Sequence, residues 1–250
     1  MGHWLEDKLE KWKVLEKTTV TVSDTAANMV KMFEFLPSHI VHNGCLNHVL
    51  QLVVNDEILE KPEVKNIVFS VRAFTNYASI STLLSAAVRS KQEEMGWSDT
   101  ELKALVQDVK TRWNSTYDML DRFVALQEPI KKVLEMGEWK DKIMVRSGNH
   151  AGKPVKFNNN DWKVMERVVK LLGPFKEATI KLSAASACIS QSIPTITSLL
   201  HTLKPANNTT DLGVKDLKRR LAANLIERLD YTEESDIHAL ATLLDPRYAS

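Results

Sequence analysis

Apolar residues along this chain fall mainly at three- and four-residue intervals, the spacing that lines one face of a helix. Trp4, Leu5, Leu9, Trp12 and Leu15 follow it and predict an amphipathic helix over 4–16. The pattern then changes. Thr18 to Val22 is β-branched throughout and too short for a helix, so it reads as a buried strand stopped by Ser23-Asp24-Thr25. Ala26, Ala27, Met29 and Val30 resume a helical spacing, and His39-Ile40-Val41-His42, after the Pro37-Ser38 turn, reads as a second strand.

From Gly44 onwards the pattern is helical almost to the end. Leu46, Val49, Leu50, Val53 and Val54 line one helix to about Leu59, and Val64, Ile67, Val68, Val71 and Phe74 line the next, with Pro62 near its start. Ile80, Leu83, Leu84, Ala87 and Val88 mark a third that closes at Met95-Gly96. Trp113, Tyr117, Leu120, Phe123 and Val124 belong to another, capped near Asn114 or Ser115, and Pro129 kinks it or begins a new one. Residues 137–161 show no sustained period and contain Gly148, Gly152, Pro154 and an Asn triplet, so they read as a long mobile loop. Asp161 to Leu172 is helical, Pro174 starts a further segment, and Pro194 opens one that ends near Leu203. After polar turn material at 205–213, Val214, Leu217, Leu221, Leu225 and Leu229 form a stripe with Lys215, Lys218, Arg219 and Arg220 on its wet side. The expected fold is therefore mostly α with a small α/β part. No fixed-period repeat emerges, although stacked helix pairs would also suit a helical solenoid.

Composition narrows the class. With 250 residues, 44% hydrophobic and 26% charged, the chain has ample material for a core. Its 33 basic and 32 acidic residues give a net charge of +1, so any affinity for nucleic acid must come from a local patch. Such a patch exists in 139–160, where Lys140, Lys142, Arg146, Lys153 and Lys156 face Asp141 alone; it suits a phosphate backbone, or a solvated linker. Cys45 and Cys188 form no Cys-x-x-Cys pair and read as reduced thiols of a cytosolic or nuclear protein. No apolar run approaches the roughly 20 residues of a membrane span.

Four stretches could carry chemistry. Asp24 sits where a strand's C-terminal end meets a helix N-terminus, a position suited to capping the helix or, on rigid backbone, to holding a divalent cation. His42-x-x-Cys45-x-x-His48 offers three zinc-type ligands, or simply packed polar residues at a strand-to-helix corner, since no second ligand pair follows. In Asp108-Val109-Lys110-Thr111-Arg112-Trp113, Arg beside Trp can serve a phosphate and stack a base, while a Trp at a helix start equally suits the core. Asp245 before Pro246 marks a helix stop with Arg247 as its ion-pair partner. Only one carboxylate has a catalytic setting, and phosphoryl-transfer chemistry needs several around its metals.

Four segments together resemble the hAT superfamily of DNA transposases, and in detail the BED-type zinc-finger proteins descended from them. They are VSDTAANMVK (Val22 to Lys31), HNGCLNHVLQLVVND (His42 to Asp56), DVKTRWNSTYDML (Asp108 to Leu120) and ATLLDPRY (Ala241 to Tyr248), with PFKEAT at Pro174 to Thr179 and IPT at Ile193 to Thr195 in order between them. The resemblance implies an RNase H-like core interrupted by a large all-helical insertion. On that map 1–43 is a partial core, with strands near 18–22 and 39–42, and 44–250 is the insertion. Asp24 then matches the second acid of an Asp-Asp-Glu triad that holds magnesium for strand cleavage and joining. Cys45 and His48 match the Cys-x-x-His motif near that acid, and Arg112 and Trp113 match the Arg-Trp motif, whose Trp stacks on a flipped base. The triad's first Asp, its Glu, the BED finger and the dimerisation region have no counterpart in these 250 residues.

The expectation is a nuclear, transposase-derived segment without catalysis and without a cofactor of its own, whose partners are DNA, through Arg112, Trp113, Lys140, Lys142 and Arg146, or other proteins. Two alternatives stay open: part of an active transposase whose remaining acids lie elsewhere, and a helical protein-interaction scaffold.

Overall fold

The computed structural model describes residues 2–139, 141–204, 212–229 and 235–248. Two unequal parts follow one another. In the first, helix α1 (Gly2–Lys11) leads through a 3₁₀ turn at Leu15–Lys17 into strand β1 (Val20–Ser23), helix α2 (Ala27–Phe33) and strand β2 (Val41–Gly44). The strands pair in parallel, Val20 opposite Val41 and Ser23 opposite Gly44, so β1, α2 and β2 make one βαβ crossover. Leu15, Leu36 and Ile40 form its small core, with Leu5, Leu9 and Phe33 packed against them.

Two expectations for this part shift. The first helix ends at Lys11 rather than Glu16, because Lys13 adopts a left-handed conformation (φ 57°) that a helix cannot continue through. The first strand is present but not buried: Val22 is 57% exposed, since β1 has one strand neighbour among the described residues and its outer face is uncovered.

The second part is a helical body around one large core. Helix α3 (Leu46–Val54) buries Val49, Leu50, Val53 and Val54, and a π-turn at Asn55–Leu59 brings Ile58 into the same interior. Helices α4 (Pro62–Ile80) and α5 (Thr82–Glu94) pack side by side, with Val64, Ile67, Val68, Val71 and Phe74 inward as their spacing predicts. Ile80 and Leu83 depart from that spacing; both lie exposed at the junction of the two helices, where Ser81 caps α5. Helix α6 (Trp113–Ala125) packs on the long helix α8 (Asn159–Leu182), and α7 (Gln127–Glu135) begins afresh around Pro129. Phe123 centres the interior, edge-on to Phe74 at 5.5 Å and stacked on Trp162 at 5.4 Å. Helices α9 (Ser192–Leu203), α10 (Leu212–Leu229) and α11 (Asp236–Leu244) complete the body, and Leu221, Leu225 and Leu229 of the predicted stripe are buried. The turn expected at 205–213 lies almost wholly outside the described residues.

Two sequence expectations give way to packing here. Pro174 sits inside α8 instead of opening a new helix; Lys170, whose carbonyl the missing N–H would have met, faces water, which can satisfy it. The cap of α6 is Arg112, without a side-chain bond, while Ser115 ties back to Val109. The described residues of 137–161 are mostly exposed but carry buried anchors. Trp139, Ile143, Val145 and Val155 are buried, and an antiparallel bridge joins Met144 to Pro154 with Val145 N–H donating to Lys153 O at 2.9 Å. The tip is held to α4, where Asn66 Oδ1 accepts the Asn149 N–H.

Candidate functional site

The strand ends place the first group of predicted residues. Asp24 follows β1 and stays exposed; its Oδ1 accepts the Ala26 N–H at 3.2 Å, an Asx turn just ahead of α2. It is thus not the N-cap, which is Ala26. Ser23 Oγ meets His42 Nε2 at 2.9 Å, and the His42 ring stacks on Phe33 at 4.2 Å. Burial pushes the His42 imidazole below its ordinary pKa, partly opposed by the charge of Asp24. Cys45 caps α3 from its backbone, its N–H donating to Ser23 O at 2.6 Å.

The possible zinc ligands do not converge. His42 is spent on Ser23 and Phe33, Cys45 lines a cavity against α9, and His48 opens into a different cleft. Among the described residues no group of three His, Cys, Asp or Glu side chains is placed to hold a metal. Asp24 therefore lacks, within these residues, the carboxylate companions that a magnesium site of the implied kind requires.

The second group does come together. His48 and Gln51 of α3, Arg112, Trp113 and Asn114 of α6, and Ser183 after α8 line one cleft of about 420 Å³. Three buried polar atoms at this site have no partner: Trp113 Nε1, Asn47 Oδ1 and Asn114 Oδ1. Arg112 is exposed. Trp113 is not: it is 3% exposed and set edge-on to Tyr117, so no open ring face is available for stacking a base, and its Nε1 is a buried N–H donor without a partner. The motif's helical start puts Trp113 on the same inward stripe as Met119, Leu120 and Phe123, which is why it is core.

Reading by motif alone missed what fixes this segment. Asp108 has no exposed side-chain surface and takes Arg72 of α4 in a forked ion pair, Nη2 to Oδ2 at 2.6 Å and Nε to Oδ1 at 3.0 Å. Thr116 Oγ1 donates to the same carboxylate at 2.8 Å. The signal that could have found the pair is Arg72 itself, a cation set between Val71 and Phe74, both on the inward stripe of the helix.

The remaining predicted cations scatter. Lys142 is paired with Glu138 and lies over the Trp139 ring, whereas Arg146, Lys153 and Lys156 are exposed without an ion-pair partner among the described residues. Lys140 lies outside the described residues. At the far end Asp245 does stop α11 and does pair with Arg247, in a fork that also takes the Ser190 hydroxyl at 2.6 Å. Arg247 first and Ser190 second hold the Asp245 carboxyl far below the usual carboxylate range.

A parallel βαβ fragment leading into one large helical body defines an RNase-like helical class. The family described as the ZBED1 RNase-like helical domain matches residues 44–171, half of the chain, and the chain belongs to that family. It is similar to human zinc finger BED domain-containing protein 4, 24% identical over 99% of this chain and 20% of that protein. It is similar also to human zinc finger BED domain-containing protein 6, 27% identical over 90% of this chain and 22% of that protein. A third relative is the putative transcriptional regulator tpeD of Talaromyces stipitatus, 22% identical over 79% of this chain and 25% of that protein. The chain thus spans about a fifth to a quarter of the length of these curated relatives. The likeness agrees with the hAT-derived, BED-type ancestry read from the four motif segments.

Proposed function

We propose that this transposase-derived chain works in the nucleus by holding DNA rather than by cutting it. The reading rests on one observation, the cleft where His48 meets the Arg-Trp motif, with Trp113 Nε1, Asn47 Oδ1 and Asn114 Oδ1 unpartnered beside an exposed Arg112. Buried donors and acceptors without partners are costly, and a nucleotide edge supplies both kinds of group. Arg112 meets a phosphate at the mouth of the cleft. Arg146, Lys153 and Lys156 add a second, sequence-independent contact to the backbone. That a zinc finger BED name recurs among the relatives accords with a nuclear, DNA-related setting. Asp24 serves as an inherited strand-tip acid whose Asx turn shapes the entry to α2, and it plays no part in binding.

Fluorescence anisotropy with a labelled duplex, titrated across salt, tests this. Log affinity falls linearly with log salt; Arg146→Ala lowers the slope by about one unit, Trp113→Phe weakens binding without changing the slope, and Asp24→Asn leaves both unchanged. A flat salt response, or magnesium-dependent nicking that Asp24→Asn abolishes, overturns the proposal.

A further inference from the structure

Neither cysteine has a role in that reading, yet both thiols are free and both face one place. Cys45, at the junction of β2 and α3, and Cys188, just before α9, line a single cavity of about 220 Å³. Cys188 is exposed, while Cys45 is partly buried by its position at the start of α3. Cys188 Sγ lies 2.9 Å from Ser190 Oγ and accepts from Arg247 Nη2, also at 2.9 Å. A second feature of the cavity points to an occupant. Asn43 is 7% exposed, lines the same wall, and its buried Nδ2 has no hydrogen-bond partner. A buried amide donor in that state is costly, and a bound group with an oxygen acceptor would satisfy it.

We propose that this cavity is a thiol-modification site, in which Cys188 forms a mixed disulfide with a small disulfide of the glutathione type and Cys45 then resolves it. The order follows from access: reagents reach the exposed Cys188 first, and the half-covered Cys45 meets only what is already bound in the shared space. In the first step the Cys188 thiol gives its proton to solvent, and its sulfur attacks one sulfur of glutathione disulfide. The reagent's S–S bond breaks and one glutathione leaves as thiolate, taking a proton from solvent. Asn43 Nδ2 donates to a carbonyl or carboxylate oxygen of the bound half. In the second step Cys45, likewise deprotonated by solvent, attacks the Cys188 sulfur, expels the second glutathione and leaves a Cys45–Cys188 disulfide. The protein is oxidised by loss of two hydrogens and one glutathione disulfide is reduced to two thiols. The bond ties the corner that carries Asp24 and the Cys-x-x-His motif to the corner held by Asp245 and Arg247.

The test incubates the whole purified chain with glutathione disulfide and follows intact mass and tryptic peptides. The expected wild-type product is a cross-link between the Cys45 and Cys188 peptides, reversed by reductant. Cys45→Ser should keep glutathione on Cys188, and it should fold, because serine is a favoured helix N-cap. Asn43→Ala in that background should slow adduct formation severalfold with an unchanged circular dichroism spectrum. Cys188→Ser should take up no glutathione. A wild-type adduct that persists without a cross-link, a cross-link that forms only in denaturant, or an adduct on Cys45 in Cys188→Ser each overturns the proposal.

Discussion

Replacing Asp108 with alanine should destabilise this chain strongly, because it breaks the buried ion pair that holds the Arg-Trp segment. The carboxylate has no exposed side-chain surface, and Arg72 is only 15% exposed, so deleting Asp108 strands a guanidinium that has lost most of its hydration. It also leaves Thr116 Oγ1 and Gln107 Nε2 without the acceptor they now share. Removing one partner of a buried pair costs about 3–5 kcal/mol, whereas an exposed pair is worth roughly 0–1 kcal/mol. Arg72 keeps some contact with water, which puts the expected loss near the lower end, about 3 kcal/mol. For a chain of this size that lowers the melting temperature by roughly 6–12 °C. Urea denaturation followed by circular dichroism measures it directly. The sharper assay is a double-mutant cycle: Asp108→Leu with Arg72→Met should lose less than the sum of the two single changes, because the apolar pair leaves no orphaned charge. A loss below about 1 kcal/mol for Asp108→Ala, or strict additivity in the cycle, would refute the claim that this buried fork fixes the segment.

Three further outcomes follow from backbone, burial and charge. Gly148 and Gly152 share a left-handed conformation (φ +80° and +77°), but a Cβ at Gly148 would stand 2.4 Å from Phe69 Cδ2, while Gly152 has open space around it. Gly152→Ala should therefore cost only the conformational penalty of about 1–2 kcal/mol, and Gly148→Ala clearly more; equal losses in denaturant melts would contradict the close packing of Gly148 against Phe69. His42 and His238 both have their pKa lowered from 6.5 by burial, so the folded chain binds fewer protons than the unfolded chain once pH falls below that value. Stability should be full above pH 6.5 and decline as pH drops through the depressed folded values, with His238→Gln flattening the decline; a pH-independent urea midpoint between pH 7 and 5 would rule this out. Asp24→Asn removes the charge that favours protonated His42, so the imidazole should titrate at a still lower pH by NMR.

How much of this was legible in the amino-acid order depends on the range of each interaction. The stripes Val64, Ile67, Val71, Phe74 and Leu221, Leu225, Leu229 were readable because a helix repeats its burial every turn, and the packed structure buries all seven. The strand at Thr18 to Val22 was readable as a strand but not as an exposed one, since β-branching reports backbone preference and says nothing of how many neighbours a strand finds. In 137–161 the alternation of Ile143, Val145, Val155 and Phe157 was present but hidden among glycines, lysines and asparagines that read as solvent. The Arg72–Asp108 fork and the cleft drawn from α3, α6 and the end of α8 had no local signature, because their members meet only after the helices pack. Trp113 shows the consequence for function. Motif resemblance assigns it an open stacking face and periodicity assigns it the core; the structure has the ring buried, with an unpartnered Nε1, in a residue that also lines the cleft. A residue that is core and also lines the cleft cannot be assigned from its neighbours in sequence, and its substitution will disturb stability and binding together unless the replacement, as in Trp113→Phe, keeps most of the aromatic volume and removes only the N–H.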